Sequence, residues 1–276
     1  MKILITGTTG FLGMSLKEQF ETAHTVSEYV RGTDMTAALM VNKPDVIIHC
    51  AGEIYNADKM FATNVGLVEE ILEWVKRNPA TRMIQIGSSA EYGPMHRATA
   101  EQDRINPVDV YQATKGAASL LCQGYSRQFG LQTLVARIYS GYGVNERPHR
   151  LFPRLYRAFF DSEPMKLFGG VHDFIYIDDF VRGIEMVLAQ PWPAGEIVNF
   201  GSGRQYTNRA VLEAWQQVTG HSAPVEYEDR LSKAYESDVW VCDTAYAQQQ
   251  YKFQTQFSLE QGIEDFIKKM QNVKTN

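Results

Sequence analysis

The chain is poor in cysteine. Three occur among 276 residues, Cys50, Cys122 and Cys242, an odd number with no C-x-x-C spacing. That excludes a disulfide framework and reads as reduced cytosolic thiols buried as small apolar groups. Six scattered histidines make neither an H-E-x-x-H motif nor a paired spacing, so no metal site is expected. No apolar run approaches the roughly 18 residues that span a bilayer. The opening M-K-I-L-I-T-G enters a strand pattern at once, leaving no place for a signal peptide. A cytoplasmic protein without a membrane partner is therefore expected. Positive charge is also short: 27 Lys and Arg face 32 Asp and Glu, a net charge of −5, which removes any bulk attraction for nucleic acid. No internal repeat, low-complexity tract or linker interrupts the chain.

What is present is ordinary globular material. With 44% hydrophobic and 21% charged residues, the chain is neither disordered nor a coiled coil, and its length suits one large domain or two small ones. Short apolar strands are expected at 2–6, 25–31, 45–50, 83–87 and 131–138. Helices are expected at 11–20, 63–76 and 108–127, the second marked by Val65, Val68, Ile71, Leu72 and Val75 on one face. Such alternation predicts an α/β fold with a doubly wound parallel sheet. After about Gly143 the rhythm changes. Helices at 147–160, 179–189, 208–219 and 259–270, with strands near 165–168 and 196–200, predict a smaller α+β lobe. The expected division is 1–165 and 166–276, interleaved at the border.

The first strand runs into T6-G7-T8-T9-G10-F11-L12-G13 and then a helix. Gly7, Gly10 and Gly13 permit a tight turn, close approach of backbone to a pyrophosphate and close helix–strand packing. The helix start offers unpaired N–H groups and the positive end of its dipole. An acidic residue at the end of the second strand would bind ribose hydroxyls, whereas Arg suits a 2′-phosphate. That position is Val30, followed by Arg31, so NADP(H) is favoured over NAD(H). The competing reading makes Arg31 a solvated loop residue and gives the ribose contact to Asp34.

Tyr111 and Lys115 stand four residues apart on one helical face. A phenol with a pKa of about 10 is a poor catalyst at neutral pH, and a nearby ammonium favours its phenolate. The pair is a way to build a general acid or base. I84-Q85-I86-G87-S88-S89 ends the fourth strand, where an open parallel sheet places its site, and a serine hydroxyl there can hold a carbonyl oxygen.

These motifs together resemble the extended short-chain dehydrogenase/reductases of the NAD-dependent epimerase/dehydratase family. H49-C50-A51-G52 resembles its HxAA/HxAG strand end, Asn64 its helix asparagine, and S88-S89-A90-E91-Y92-G93 its serine segment. R137-I138-Y139-S140-G141-Y142-G143 resembles RxxNxYG, D173-F174-I175-Y176-I177-D178-D179 resembles DFIHVDD, and N199-F200-G201-S202-G203 with Asp243 fits the C-terminal part. The resemblance implies a Rossmann domain with a C-terminal substrate lobe and a catalytic trio of Ser89, Tyr111 and Lys115. It implies cofactor contacts from Gly7, Thr9, Gly10, Phe11, Leu12, Gly13, Arg31, Ala51, Gly52, Asn64, Tyr111, Lys115 and Ile138. The expected substrate is a nucleotide-diphosphate sugar, touched by Ser88, Ser89, Glu91, Ser140, Arg147, Arg150, Arg154 and His172. A homodimer through the helices at 63–76 and 108–127 is the family habit.

Reduction, epimerisation and 4,6-dehydration share this trio. Relatives that dehydrate carry Thr-Asp-Glu before V-Y-G. Here the stretch is one residue shorter, with Ala90 at the Asp position and Glu91 directly before Tyr92. That weighs against dehydration, although Glu91 leaves a single-carboxylate variant open, with a loop carboxylate of no chemical role as the other reading. The compressed segment and the V30-R31 ending are most similar to the GDP-4-keto-6-deoxy-mannose reductases, so 4-keto reduction with Tyr111 as general acid is the leading expectation. Ser140 stands where the family has Asn, and His172 where it has Arg. Arg147, His149, Arg150, Arg154 and Arg157 could supply the missing phosphate contacts or form a solvated helix face.

Overall fold

Apolar, β-branched runs make the first strands, β1 (Lys2–Thr6), β2 (Thr25–Tyr29) and β3 (Val46–His49), with α1 (Phe11–Phe20) and α2 (Met35–Asn42) between them. The computed structural model describes residues 1–231 and 237–275. After β3 come α3 (Ala57–Phe61), a π-helical turn (Ala62–Gly66), α4 (Leu67–Arg77), β4 (Arg82–Ser88) and a 3-10 turn (Ser89–Tyr92). Next are α5 (Val110–Phe129), β5 (Thr133–Ile138), β6 (Ser140–Tyr142), α6 (Leu151–Phe160), β7 (Met165–Gly169), β8 (Val171–Tyr176) and α7 (Ile177–Leu188). The chain continues through β9 (Glu196–Phe200), β10 (Gln205–Thr207), α8 (Asn208–Thr219), β11 (Val225–Leu231), α9 (Ala245–Tyr251) and α10 (Leu259–Thr275).

The six-stranded sheet has the order β2-β1-β3-β4-β5-β9, and β1 to β5 pair in parallel. The strand order reverses between β1 and β3. In an open α/β sheet a ligand crevice forms beyond the strand ends at such a reversal. One face of the sheet, with Leu4, Ile47, Met83 and Val135, packs on Val68, Ile71, Leu72 and Val75 of α4 and on Ala118 and Cys122 of α5. The apolar stripe of α4, considered for a subunit interface, is thus buried within its own core. The long α5 starts where Asp109 accepts from the Gln112 N–H and stops at Gly130 in a left-handed conformation.

The chain divides into two units, and the division is more interleaved than a single boundary at 165. The first holds Met1–Gly93, Glu101–Ile138 and Val181–Asn199; the second holds Pro94–Ala100, Tyr139–Phe180 and Phe200–Asn276. The second unit contains a three-stranded sheet, β10-β8-β6, and the parallel pair β11-β7. Its core is aromatic: Tyr142 stacks on Phe152 at 3.9 Å between ring centres, with Trp215 and Phe266 against Phe152. Gly262 of α10 lies so close to the Tyr142 hydroxyl that a Cβ would sit 2.0 Å from it.

Asp173 on β8 organises the loop after β9. Its carboxylate accepts from the N–H and hydroxyl of Ser202, the Gly203 N–H and the Cys242 N–H, at 2.6–2.9 Å. Asp179 likewise accepts from the Gln256 and Phe257 N–H groups, and Asp178 pairs with Lys269 at 2.7 Å. Among the described residues no helix is long and apolar enough to cross a membrane, and no group of three or more His, Cys, Asp or Glu could hold a metal ion. Asp173→Asn sets an NH2 against donors that already face the carboxylate. It should cost about 2–3 kcal/mol and lower the Tm by several degrees in thermal denaturation; an unchanged Tm would show that the clamp adds no stability.

Candidate active site

The glycine-rich turn has the backbone its residues demand. Gly7 has φ +72°, and a Cβ there would lie 2.7 Å from the Ala51 nitrogen; one on Gly13 would lie 2.3 Å from the Gly7 carbonyl oxygen. Gly10, the N-cap of α1, gives no side-chain cap, and the first turn carries no acidic residue. Thr9 is exposed and Phe11 and Leu12 are half-buried around this helix start. The Thr8 hydroxyl donates to Glu28 Oε2 at 2.6 Å, and Lys17 pairs with Oε1, which ties the turn to β2. A cradle shaped by absent Cβ atoms, facing an uncapped and positively polarised helix end, fits the pyrophosphate of a dinucleotide.

The neighbouring strand end is equally constrained. Thr6 Oγ1 accepts from the Ala51 N–H at 3.1 Å and lies 2.8 Å from Nδ1 of His49. Burial, with the Lys115 charge nearby, pushes His49 down to about 3, so the ring is neutral. Ala51 and Gly52 leave the strand beside Gly7. Asn64, 2% exposed in the π-helical turn, is fully engaged: Oδ1 accepts from the Glu53 N–H, and Nδ2 donates to the Glu53 carbonyl and to Thr114 Oγ1. It braces the loop after β3 against α5. Arg31 lies beyond β2 with its side chain 77% exposed, 3.9 Å from Glu53. Asp34 accepts from the Ala37 N–H as the N-cap of α2. Ile138 ends β5 and is buried.

The trio lies on elements that pack together, since α5 lies against β4 and the 3-10 turn. Ser89, 6% exposed, starts that turn directly after β4. Ser88 caps the same turn, its hydroxyl accepting from the Ala90 N–H at 3.2 Å. Tyr111 is half-buried in the first turn of α5. Lys115 is buried and its ammonium donates to the Ile86 carbonyl on β4. Desolvation lowers the Lys115 pKa, and the Glu91 carboxylate opposes that fall.

Glu91, expected either at the substrate or as a loop carboxylate of no chemical role, is 0% exposed and fully engaged inside the protein. Oε1 accepts from the Ser88 N–H at 2.8 Å; Oε2 accepts from Ser119 Oγ at 2.6 Å and from Arg137 Nε at 2.8 Å. The sequence signal was there: a capping box, in which Ser88 and Glu91 satisfy each other's backbone across three residues.

The remaining expected substrate contacts lie in the second unit. Ser140 Oγ is 3.3 Å from His172 Nδ1, so the two positions that depart from the family pattern meet each other. Arg150 pairs with Glu146, Arg154 donates to the Lys166 carbonyl, and Arg157 holds Glu163 and the Pro148 carbonyl; Arg147 is exposed. These contacts engage Arg150, Arg154 and Arg157 within the second unit. Burial pushes Glu146 up to about 7.

A sequence model of the NAD-dependent epimerase/dehydratase family matches residues 3–201. The chain is 26% identical to the uncharacterized UDP-glucose epimerase YtcB of Bacillus subtilis (strain 168), over 97% of each chain. It is 28% identical to a UDP-glucuronate 4-epimerase of Thermodesulfobacterium geofontis, over 73% of this chain and 62% of that protein. Among solved structures, a dTDP-glucose 4,6-dehydratase of Bacillus anthracis in complex with NAD superposes with a TM-score of 0.90 at 20% identity, covering 100% of this chain and 98% of that one. A UDP-glucuronic acid 4-epimerase of Bacillus cereus in complex with UDP-glucuronic acid and NAD gives 0.87 at 24% identity, covering 98% and 100%. With the glycine cradle, the strand-end serines and the Tyr111–Lys115 helix in the family's order, the chain belongs to the NAD-dependent epimerase/dehydratase family.

Proposed function

We propose that this chain is a nicotinamide-dinucleotide enzyme that interconverts a secondary alcohol and a ketone on a nucleotide-diphosphate sugar. One observation carries the reading: buried Lys115, its ammonium on the β4 backbone, shares a helix face with Tyr111 beside the strand end that bears Ser89. A bound nicotinamide would supply reversible acceptance of hydride. Tyr111 takes the proton from the sugar hydroxyl or returns it, and Ser89 holds the same oxygen. The Lys115 ammonium favours the phenolate and keeps two of its three donors for a ribose.

Epimerisation is the leading reading, because a relative matched over nearly its whole length and a glucuronate relative both carry epimerase names. Dehydration stays an alternative, since several relatives are named dTDP-glucose 4,6-dehydratases. Weighing against it, the segment offers Ala90 and a buried, ion-paired Glu91 where an acid at the leaving hydroxyl is needed. Inversion requires the ketone to present its opposite face before it is reduced again. Net 4-keto reduction is the second reading, favoured by the β2 end, where a carboxylate is missing and Arg31 is exposed. NADP(H) preference belongs to that second reading, as NAD does to the first. A homodimer completes the proposal, with Val110 and Leu120 of α5 left exposed; sedimentation equilibrium giving a monomer would remove it.

UDP-, dTDP- and GDP-sugars supplied one at a time, with absorbance at 340 nm and product isomers followed together, separate the readings. Isomer mixtures without net change at 340 nm mean epimerisation, and stoichiometric loss of NADPH on a 4-keto sugar means reduction. Turnover of none of them would remove the sugar assignment. Tyr111→Phe should cut turnover by about 10²–10⁴-fold while dinucleotide affinity stays within about threefold; full activity would refute the trio. Arg31→Ala should weaken NADPH binding roughly tenfold and leave NADH binding unchanged, measured by calorimetry. Equal effects on both would refute the 2′-phosphate contact.

A further inference from the structure

We infer that Glu91 is a positioning residue for the catalytic trio: it anchors the backbone of the serine segment and supplies the fixed negative charge beside which buried Lys115 stays an ammonium. The inference rests on the trio assigned above and deepens it.

Three elements converge on one carboxylate. Ser88 donates its N–H from the end of β4, Ser119 its hydroxyl from α5 one turn beyond Lys115, and Arg137 its Nε from β5. The fit is close: a Cβ on Gly87 would lie 2.8 Å from Glu91 Oε1. Arg137 stacks over the Tyr92 ring at 4.5 Å, and the Tyr92 hydroxyl donates to Asn199, so the carboxylate's partner is itself held. A charge buried this deeply is expensive unless paired. A neutral side chain could pack the space. A carboxylate there adds a field, and the buried cation Lys115 lies within it.

Among the described residues, the titratable groups around Lys115 are Glu91 from the 3-10 turn, His49 and Cys50 from the end of β3 and Cys122 from α5 itself, with Tyr111 four residues away on the same helix face. His49 is neutral, and burial pushes both thiols up to about 12, so they stay protonated near neutral pH. Glu91 is therefore the anion among them. Arg137 on β5 pairs with the same carboxylate at 2.8 Å, so its removal is part of the test. Removing the Glu91 charge leaves desolvation unopposed and shifts Lys115 towards the neutral amine at lower pH. The amine no longer favours the Tyr111 phenolate.

The test uses the full chain. The Lys115 ammonium is followed by nitrogen-15 NMR across pH in the apoprotein, its signal assigned by loss in Lys115→Met, and turnover is profiled on the same pH scale. Glu91→Gln keeps the shape and removes the charge. Lys115 should then titrate about one pH unit lower or more, and the basic limb of kcat should move with it. At neutral pH kcat should fall by about tenfold with KM nearly unchanged. Because Glu91→Gln leaves Arg137 unpaired, the double variant Glu91→Gln/Arg137→Met is read alongside and should show the same Lys115 shift. Glu91→Asp, which keeps the charge but draws back from the Ser88 N–H, should hold the Lys115 titration in place while lowering kcat. Lys115 titrating unchanged in both neutral variants overturns the inference, as does a shift in Glu91→Asp if the neutral variants do not fold. Failure of the trio looks different: Lys115→Met would then turn over normally, whatever the titration shows.

Discussion

Burying charge beneath the strand ends is the constraint that shapes this site. Lys115, Arg137 and Glu91 are buried at the ends of β4 and β5, Arg137 paired with Glu91 and Lys115 held on the Ile86 carbonyl. Replacing such a cluster with apolar side chains is often neutral or stabilising, so its use lies in geometry rather than in stability. The carboxylate fixes the Ser88 backbone, and the serine segment turns at once into a 3-10 helix that presents Ser89. The same carboxylate touches α5 one turn beyond Lys115, which aligns the helix that bears Tyr111. A single buried ion pair thus joins β5 to the serine segment and to α5, the two elements that carry the proposed trio.

At the other end of the cofactor cradle the constraint is the absence of atoms. Gly7 and Gly13 let β1, α1 and the exit of β3 approach within distances that a methyl group would block. The bonds of Thr6 to Ala51 and His49 then lock the two strand ends that flank the reversal in strand order. Neither device is a contact with a ligand. Both make a backbone surface, rich in N–H groups, that a pyrophosphate can use.

Much of this was legible in the residues because the first unit follows simple periodicities. Residues 2–6 and 11–20 form the expected strand and helix, and the stripe from Val65 to Val75 is buried as its spacing requires. What escaped notice has physical causes. Met35–Asn42 has apolar residues all round and no clear stripe, so α2 gave no period to read. The strands β6 and β10 are three residues long, too short for alternation to register. Residues 63–66 sit in a π-helical turn that shifts the phase of the helix they precede. The resemblance to dehydratase carboxylates gives no hint that Glu91 is buried; the Ser88–Glu91 capping spacing is the sequence feature that marks its inward contact with the Ser88 N–H.

The departures from the family pattern point the same way once their surroundings are known. Ala90 carries no acid, and Glu91 is buried against Arg137 rather than open to a leaving hydroxyl. The proposed trio would move one proton while hydride moves, a step common to epimerisation and reduction. Those two differ in whether the dinucleotide stays oxidised between turnovers or arrives reduced each time. At the end of β2 the chain has Val30 and an exposed Arg31, with Glu53 3.9 Å away as a fixed anion that accepts from the Ile54, Tyr55 and Asn56 N–H groups. An anion so placed offsets part of the Arg31 charge, so the field at the β2 end is weaker than the V30-R31 sequence alone suggests.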